Sequence, residues 1–147
     1  MEPGFDHMTV VVDDLDAARE FFGLLDFVQK ITVVVSGEEM AEYMGIPGWN
    51  ADHVTLVLAG AEVHQEVQLL HFHTPRAKVD AGAGTLDRTG FNHVCFRVEN
   101  LDATLAKAKA AGVRQRSAVM EFHNRKLVFL EGPGLVVELA EWLTSEA

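Results

Sequence analysis

One cysteine, Cys95, is all the chain has, so an intramolecular disulfide and any multi-cysteine zinc site are excluded. Basic residues are also scarce. Twelve Lys and Arg stand against 22 Asp and Glu, a formal net charge of −10, which excludes a general electrostatic grip on nucleic acid phosphates or an anionic membrane surface. No apolar run approaches the roughly 18–20 residues that span a bilayer, and the opening MEPGFDHM lacks the basic-then-apolar order of a secretion signal. The expectation is a soluble cytoplasmic protein whose metal ligands, if it uses a metal, are His, Glu, Asp or Gln. At 147 residues with 48% hydrophobic composition, residues 1–147 are expected to form a single domain stabilised by its core.

The chain repeats itself. Residues 5–18 read FDHMTVVVDDLDAA and residues 91–104, lying 86 positions further on, read FNHVCFRVENLDAT, with Phe, His, Val, Leu, Asp and Ala in register. Each copy opens with a strand-like run, 8–12 and 94–98, followed by an acidic turn that can accept backbone N–H groups at a helix start, and then by an Ala-rich stretch at helical spacing. Further strand-like runs follow at 27–35, 54–58 and 66–72, and at 113–119, 126–130 and 135–143. Residues 36–50, rich in Gly, read as a loop, and 74–90 as a linker. The expected fold class is therefore α+β, two β-α-β-β-β modules covering about 5–73 and about 91–143.

Duplication places His7 and His93 at equivalent positions on equivalent first strands, and Gln68 and Glu138 at equivalent positions on the last strands, each of the latter between two apolar residues. Buried polar groups need partners, and four at matched places in a duplicated unit point to a common cation. Two imidazoles, one carboxylate and one amide oxygen suit one divalent ion, Co, Ni, Mn, Zn or Fe, and leave it electrophilic enough to acidify a C–H beside a carbonyl. Glu66 and His64 share strand parity with Gln68 and are alternative ligands or supporting groups. His71 and His73 have the opposite parity and read as solvent-facing. Arg97 has the parity of His93 and Cys95, and can either face the site or reach to its rim. Cys95 itself reads as a buried, inert small hydrophobe.

The segments FDHMTVVVDDLDAAREFF, FNHVCFRVENLDATLAKAKAAGV and LVFLEGPGLVVELAEW resemble the vicinal oxygen chelate superfamily of glyoxalases, epimerases, extradiol dioxygenases and resistance proteins. The resemblance implies paired modules in a cupped mixed sheet around a metal held by His7, Gln68, His93 and Glu138. The His, Gln, His, Glu order is similar to that of methylmalonyl-CoA epimerases, whereas bacterial glyoxalase I enzymes usually carry Glu in place of Gln68. It implies an isomerase or lyase acting through a metal-stabilised enolate on a small-molecule substrate, an acyl-CoA thioester or a glutathione hemithioacetal. Glu138 matches one of the two proton-transfer groups, and Asp52 and His53 are the candidates for the other. The turn at His123 and Arg125 lies where the family contacts a substrate's polar tail, so Arg97, His123 and Arg125 are candidate substrate-binding residues. Homodimerisation is expected. Two further readings stay open. His7, His93 and Glu138 can form an Fe(II) triad of an extradiol-type dioxygenase. Alternatively, the negative charge with Trp49, Phe72 and Trp142 can suit a non-enzymatic binder of cationic antibiotics.

Overall fold

A computed structural model describes residues 2–143. The chain divides into two compact units after Val79. In the first, β1 (Met8–Val11), α1 (Leu15–Gly23), β2 (Phe27–Val35), α2 (Glu38–Met44), β3 (Asn50–Leu58) and β4 (Glu66–Thr74) form a four-stranded mixed sheet of order β1-β4-β3-β2. β1 runs parallel to β4, and the other pairs are antiparallel. In the second, β5 (Val94–Arg97), α3 (Leu101–Ala110), β6 (Met120–Phe122), β7 (Arg125–Glu131) and β8 (Val136–Trp142) give the order β5-β8-β7-β6, again with only the first and last strands parallel. The sequence repeat is thus a repeat of topology, and the fold is α+β with two mixed sheets.

Both turns cap their helices as expected, with a carboxylate in the first copy and the Asn100 amide in the second. Asp14 Oδ1 accepts from Ala17 N at 3.0 Å and Asn100 Oδ1 from Ala103 N at 2.9 Å, so each crossover helix starts on a side-chain cap that satisfies an orphan N–H. In unit one, Val10, Val54, Leu56, Val67 and Leu69 alternate onto one sheet face, where α1 sets Ala18, Phe21 and Phe22 against them, all buried. Phe22 meets Phe21 and Phe27 edge-on, with centroids 5.3 and 6.0 Å away. In unit two the matching face carries Val128, Leu130, Val137 and Leu139, with Leu101 and Ala108 of α3. Each of the Val, Leu and Phe side chains contributes about 1.5–3 kcal/mol on burial.

Two expectations about elements need correction. Residues 36–50 are not only a loop: they contain α2, which ends at Gly45 in the left-handed region (φ 71°). Met40, Ala41 and Met44 pack on a second core of Trp49, Ala51 and Leu70. Residues 113–119 do not form a strand; the second strand of this unit, after α3, is the short β6. The stretch makes a single bridge, Gln115 to Leu130, through backbone bonds from Arg116 N to Phe129 O at 2.7 Å and from Glu131 N to Arg114 O at 2.9 Å, and side chains take over beyond it. Ser117 Oγ accepts from Phe129 N at 3.0 Å and Gln115 Nε2 donates to Ser117 O at 2.7 Å.

Candidate functional site

Strand alternation sorts the candidate residues of unit one. Gln68 lies opposite Thr9 and Thr55, and His53 two residues along from Thr55 shares their face. On that face Gln68 Nε2 donates to Glu66 Oε2 at 2.6 Å, and the Gln68 oxygen lies 3.0 Å from His53 Nε2. A carboxylate only accepts, so the amide nitrogen must face Glu66, the amide oxygen must face His53, and His53 carries its proton on Nε2. Glu66 also meets His64 Nε2 at 2.9 Å. The Gln68 amide first, and then His64, hold the Glu66 carboxyl below the usual carboxylate range. Asp6, His7 and Glu66 offer ligand atoms within 4.8 Å of one another. Glu66, read from parity as an alternative ligand, therefore sits in the same cluster as His7, and Gln68 is bonded to it.

In unit two His93 Nε2 lies 3.3 Å from Glu138 Oε1. Glu138 is on β8, opposite Cys95 on one side and Phe129 on the other, and the His93 ring stands edge-on to Phe129 with centroids 5.0 Å apart. Side-chain exposures of 30% and 17% for His93 and Glu138 leave the pair reachable from solvent yet partly desolvated.

The two histidines are oriented alike. His7 Nδ1 is 2.6 Å from Asp6 Oδ2, and His93 Nδ1 is 2.7 Å from Asn92 Oδ1. Asn92 Nδ2 donates to Leu86 O at 2.8 Å, which fixes its amide with the oxygen toward the imidazole. Both Nδ1 atoms must then donate, so in the neutral form of either ring the lone pair sits on Nε2, which in His93 faces Glu138. An Nδ1–H held by a side-chain oxygen is the usual support of a metal-binding imidazole. At 3.3 Å a neutral His93 Nε2 and the Glu138 carboxylate are two facing acceptors, satisfied only by a shared proton or a shared cation. The donor set fits a divalent metal on these grounds.

Asp52 and His53, paired as candidates in the sequence, are separated by the pleat. β3 and β4 pair without interruption through Asp52–His71 and His53–Leu70, so Asp52 points to the face opposite His53 and Gln68. There it meets His73 Nε2 at 2.9 Å and His71 Nδ1 at 3.5 Å. The hydrogen bond from His73 holds the Asp52 carboxyl below its usual range. His71 and His73, expected to face solvent, do keep 36% and 37% of their side-chain surface exposed, and they also flank this carboxylate.

The substrate-binding candidates fall in unit two. Arg97 and Arg125 both stack on Trp142, with guanidinium carbons 5.4 and 4.9 Å from the ring centroid. The register Cys95–Glu138, Arg97–Ala140 and Arg125–Trp142 puts both arginines on the face that carries His93 and Glu138. Arg125 Nε is buried without a hydrogen-bond partner. His123 occupies the tight turn between β6 and β7 with Asn124, both at positive φ (50° and 58°), and its ring lies 3.9 Å from that of Phe122. The aromatic residues weighed for a cationic ligand are otherwise engaged: Trp49 is 2% exposed and packs edge-on to Phe72, and Trp142 already carries two guanidinium groups.

Cys95 keeps exposed surface, contrary to the expectation of burial. Its thiol is nonetheless pushed up to about 12, first by desolvation and then by the negative charge of Glu138. In the metal-free protein, alkylation by iodoacetamide at pH 8 is expected to run at least about 100-fold slower than that of an unperturbed cysteine, because the thiolate is the reacting species. Labelling at the rate of a free thiol would contradict this environment.

Residues 6–141 match the Glyoxalase/Bleomycin resistance protein/Dioxygenase superfamily. No functionally curated protein is detectably similar to this chain in sequence. Among solved structures, a glyoxalase family protein from Bacillus cereus is 25% identical with a TM-score of 0.86, over 95% of this chain and 94% of that one. A glyoxylase/bleomycin resistance protein/dioxygenase domain from Frankia sp. EAN1pec is 18% identical, with a TM-score of 0.67 over 100% of this chain and 96% of that one. The fosfomycin resistance protein FosX from Listeria monocytogenes, solved with Mn(II) and 1S,2S-dihydroxypropylphosphonic acid, shares the fold at 15% identity, with a TM-score of 0.62 over 99% and 94% of the two chains. With its match extending over both modules of the fold, this chain belongs to the Glyoxalase/Bleomycin resistance protein/Dioxygenase superfamily.

Proposed function

We propose that this protein is a divalent-metal-dependent isomerase or lyase that moves a proton at a carbon beside a carbonyl, with epimerase-like action on an acyl-CoA thioester as the leading reading. His7, Gln68, His93 and Glu138 hold the cation, brought together within one chain or by exchange of modules in a homodimer. The observation that carries this is the matched pair of imidazoles with Nδ1 tied to Asp6 and Asn92, which turns Nε2 into the ligand atom, each beside oxygen groups of its own unit. FosX, of the same fold, binds Mn(II). When bound, the cation, Co, Ni, Mn, Zn or Fe, supplies the Lewis acidity that lowers the pKa of the neighbouring C–H.

The chain's own residues do the rest. Glu138 takes or returns the proton at one face of the substrate carbon. His53, bonded to the Gln68 oxygen at 3.0 Å, is the second proton-transfer group, since Asp52 lies on the other side of the sheet. Val11, Ile31 and Val33 stay exposed on the face that carries Gln68 and His53, and accept the acyl chain. Arg97 and Arg125 hold the anionic tail, and the orphan Arg125 Nε is a donor in want of such an acceptor. Glu138 and Trp142 stand four positions apart on β8, roughly 13 Å of strand, so a substrate touching both ends must be long. Coenzyme A and glutathione conjugates have that reach.

A second reading, glyoxalase I-like conversion of a glutathione hemithioacetal, is favoured by one contact: Glu66 supplies a carboxylate next to Gln68 and within reach of His7. One experiment separates the two. Protein loaded with each of the five ions is incubated in deuterated water with methylmalonyl-CoA, and the α-carbon is followed by mass; a parallel sample receives methylglyoxal and glutathione. Deuterium uptake that requires metal supports the epimerase-like reading, and thioester formation in the parallel sample supports the other. Neither reaction with any ion would overturn the proposal.

A further inference from the structure

We infer that Asp52, His71 and His73 form a second, separate binding site for a divalent transition-metal ion of the Zn, Co, Ni or Cu kind. All three side chains belong to unit one and lie on the sheet face away from Gln68 and His53. Their ligand atoms lie within 4.8 Å of one another, the mutual spacing that a single cation can bridge. Two features of the backbone make this set. Direct pairing of Asp52 with His71 puts the carboxylate and the first imidazole side by side across adjacent strands. One step further the register shifts, with Ala51 opposite Phe72 but Asn50 opposite Thr74, so that His73 is the extra residue of a bulge. A bulge re-aims a side chain, and here it leaves His73 Nε2 2.9 Å from Asp52.

The chemistry of the set is selective. Two imidazole nitrogens and one carboxylate oxygen suit borderline ions, and would hold Mg or Ca poorly. With both rings neutral the cluster carries one negative charge, which a divalent ion more than offsets, in a chain whose net charge of −10 draws cations toward it. Side-chain exposures of 36% for His71, 37% for His73 and 27% for Asp52 leave a route for the ion and room for water or another ligand to complete the shell. Bound there, the ion ties β3 to β4.

The test uses the full-length protein and Zn(II) or Co(II) alone. In a His93→Ala background, where the first site has lost a ligand, equilibrium titration is expected to retain one tight equivalent that raises the melting temperature. Adding His73→Gln or His71→Gln is expected to weaken that equivalent by at least about 30-fold and to abolish the thermal shift. Both variants conserve size and polarity, and circular dichroism without metal checks that they fold. In the wild-type background the same two substitutions are expected to lower the stoichiometry from two to one and to leave catalysis unchanged. If His71→Gln and His73→Gln bind metal as tightly and with the same stoichiometry as their parents, the second site does not exist, whatever becomes of the first.

Discussion

Glu138→Gln is expected to lower metal-dependent proton exchange at the substrate's α-carbon by roughly 10²- to 10⁴-fold, the range that positioned acid–base groups contribute. The same substitution leaves the metal-free protein at least as stable as wild type. This opposite pair of effects follows from one contact. In the wild type a carboxylate faces the Nε2 of an imidazole whose Nδ1 proton is already held by Asn92. Without a cation or a shared proton, two acceptors oppose each other at 3.3 Å in a partly desolvated spot. A glutamine of the same shape can turn its NH₂ toward Nε2 and satisfy it, but it can neither take a proton nor offer charge to a metal. Elemental analysis alongside the kinetics separates lost metal from lost proton transfer. Glu138→Gln protein with wild-type activity would remove Glu138 from the reaction.

Phe22→Ala is expected to cost about 3–5 kcal/mol of folding free energy. Phe22 is fully buried and touches Phe21 and Phe27 edge-on, so truncation removes transfer energy, leaves a cavity and loses two aromatic contacts at once. Because domains are stable by only about 5–15 kcal/mol, this is a large share, read as a drop of roughly 10–20 °C in melting temperature. Phe22→Leu, which refills most of the space, is expected to cost about 1 kcal/mol. Equal loss from both variants would mean that the site tolerates no change of shape. No loss from Phe22→Ala would mean that α1 is not what holds the first sheet's apolar face. Metal affinity should be less affected than stability in either variant that folds, since α1 packs on the face opposite Gln68.

The repeat was the most informative feature of the amino-acid order. FDHMTVVVDDLDAA and FNHVCFRVENLDAT each specify a strand, a side-chain cap and a crossover helix from contacts within a few residues, so both sheets share one topology. Even the exchange of Asp6 for Asn92 preserves a role, as either side chain offers an oxygen to the following histidine. Short elements were less legible. α2 spans seven residues between Gly37 and Gly45, too few for a periodic signal, and it forms because Trp49, Ala51 and Leu70 give its methionines something to bury against. Residues 113–119 have strand-like composition, yet their polar side chains bond to backbone and displace the ladder.

Composition and local pattern alone thus determined that this is a two-module α+β chain, which histidines and which last-strand residues are equivalent, and that any metal it holds meets His, Glu, Asp or Gln side chains and no set of cysteines. Only the tertiary structure decided which neighbours face the same way. Asp52 and His53 are adjacent in sequence, and nothing local tells which faces Gln68, because a register slip of one residue reverses every side chain on a strand. Pairing across β3 and β4, with the bulge at His73, sent Asp52 to two imidazoles on one face and His53 to Gln68 on the other. That choice is made by burial of Val54, Leu56, Val67 and Leu69 under α1, a nonlocal packing preference that fixes the register and, with it, the chemistry.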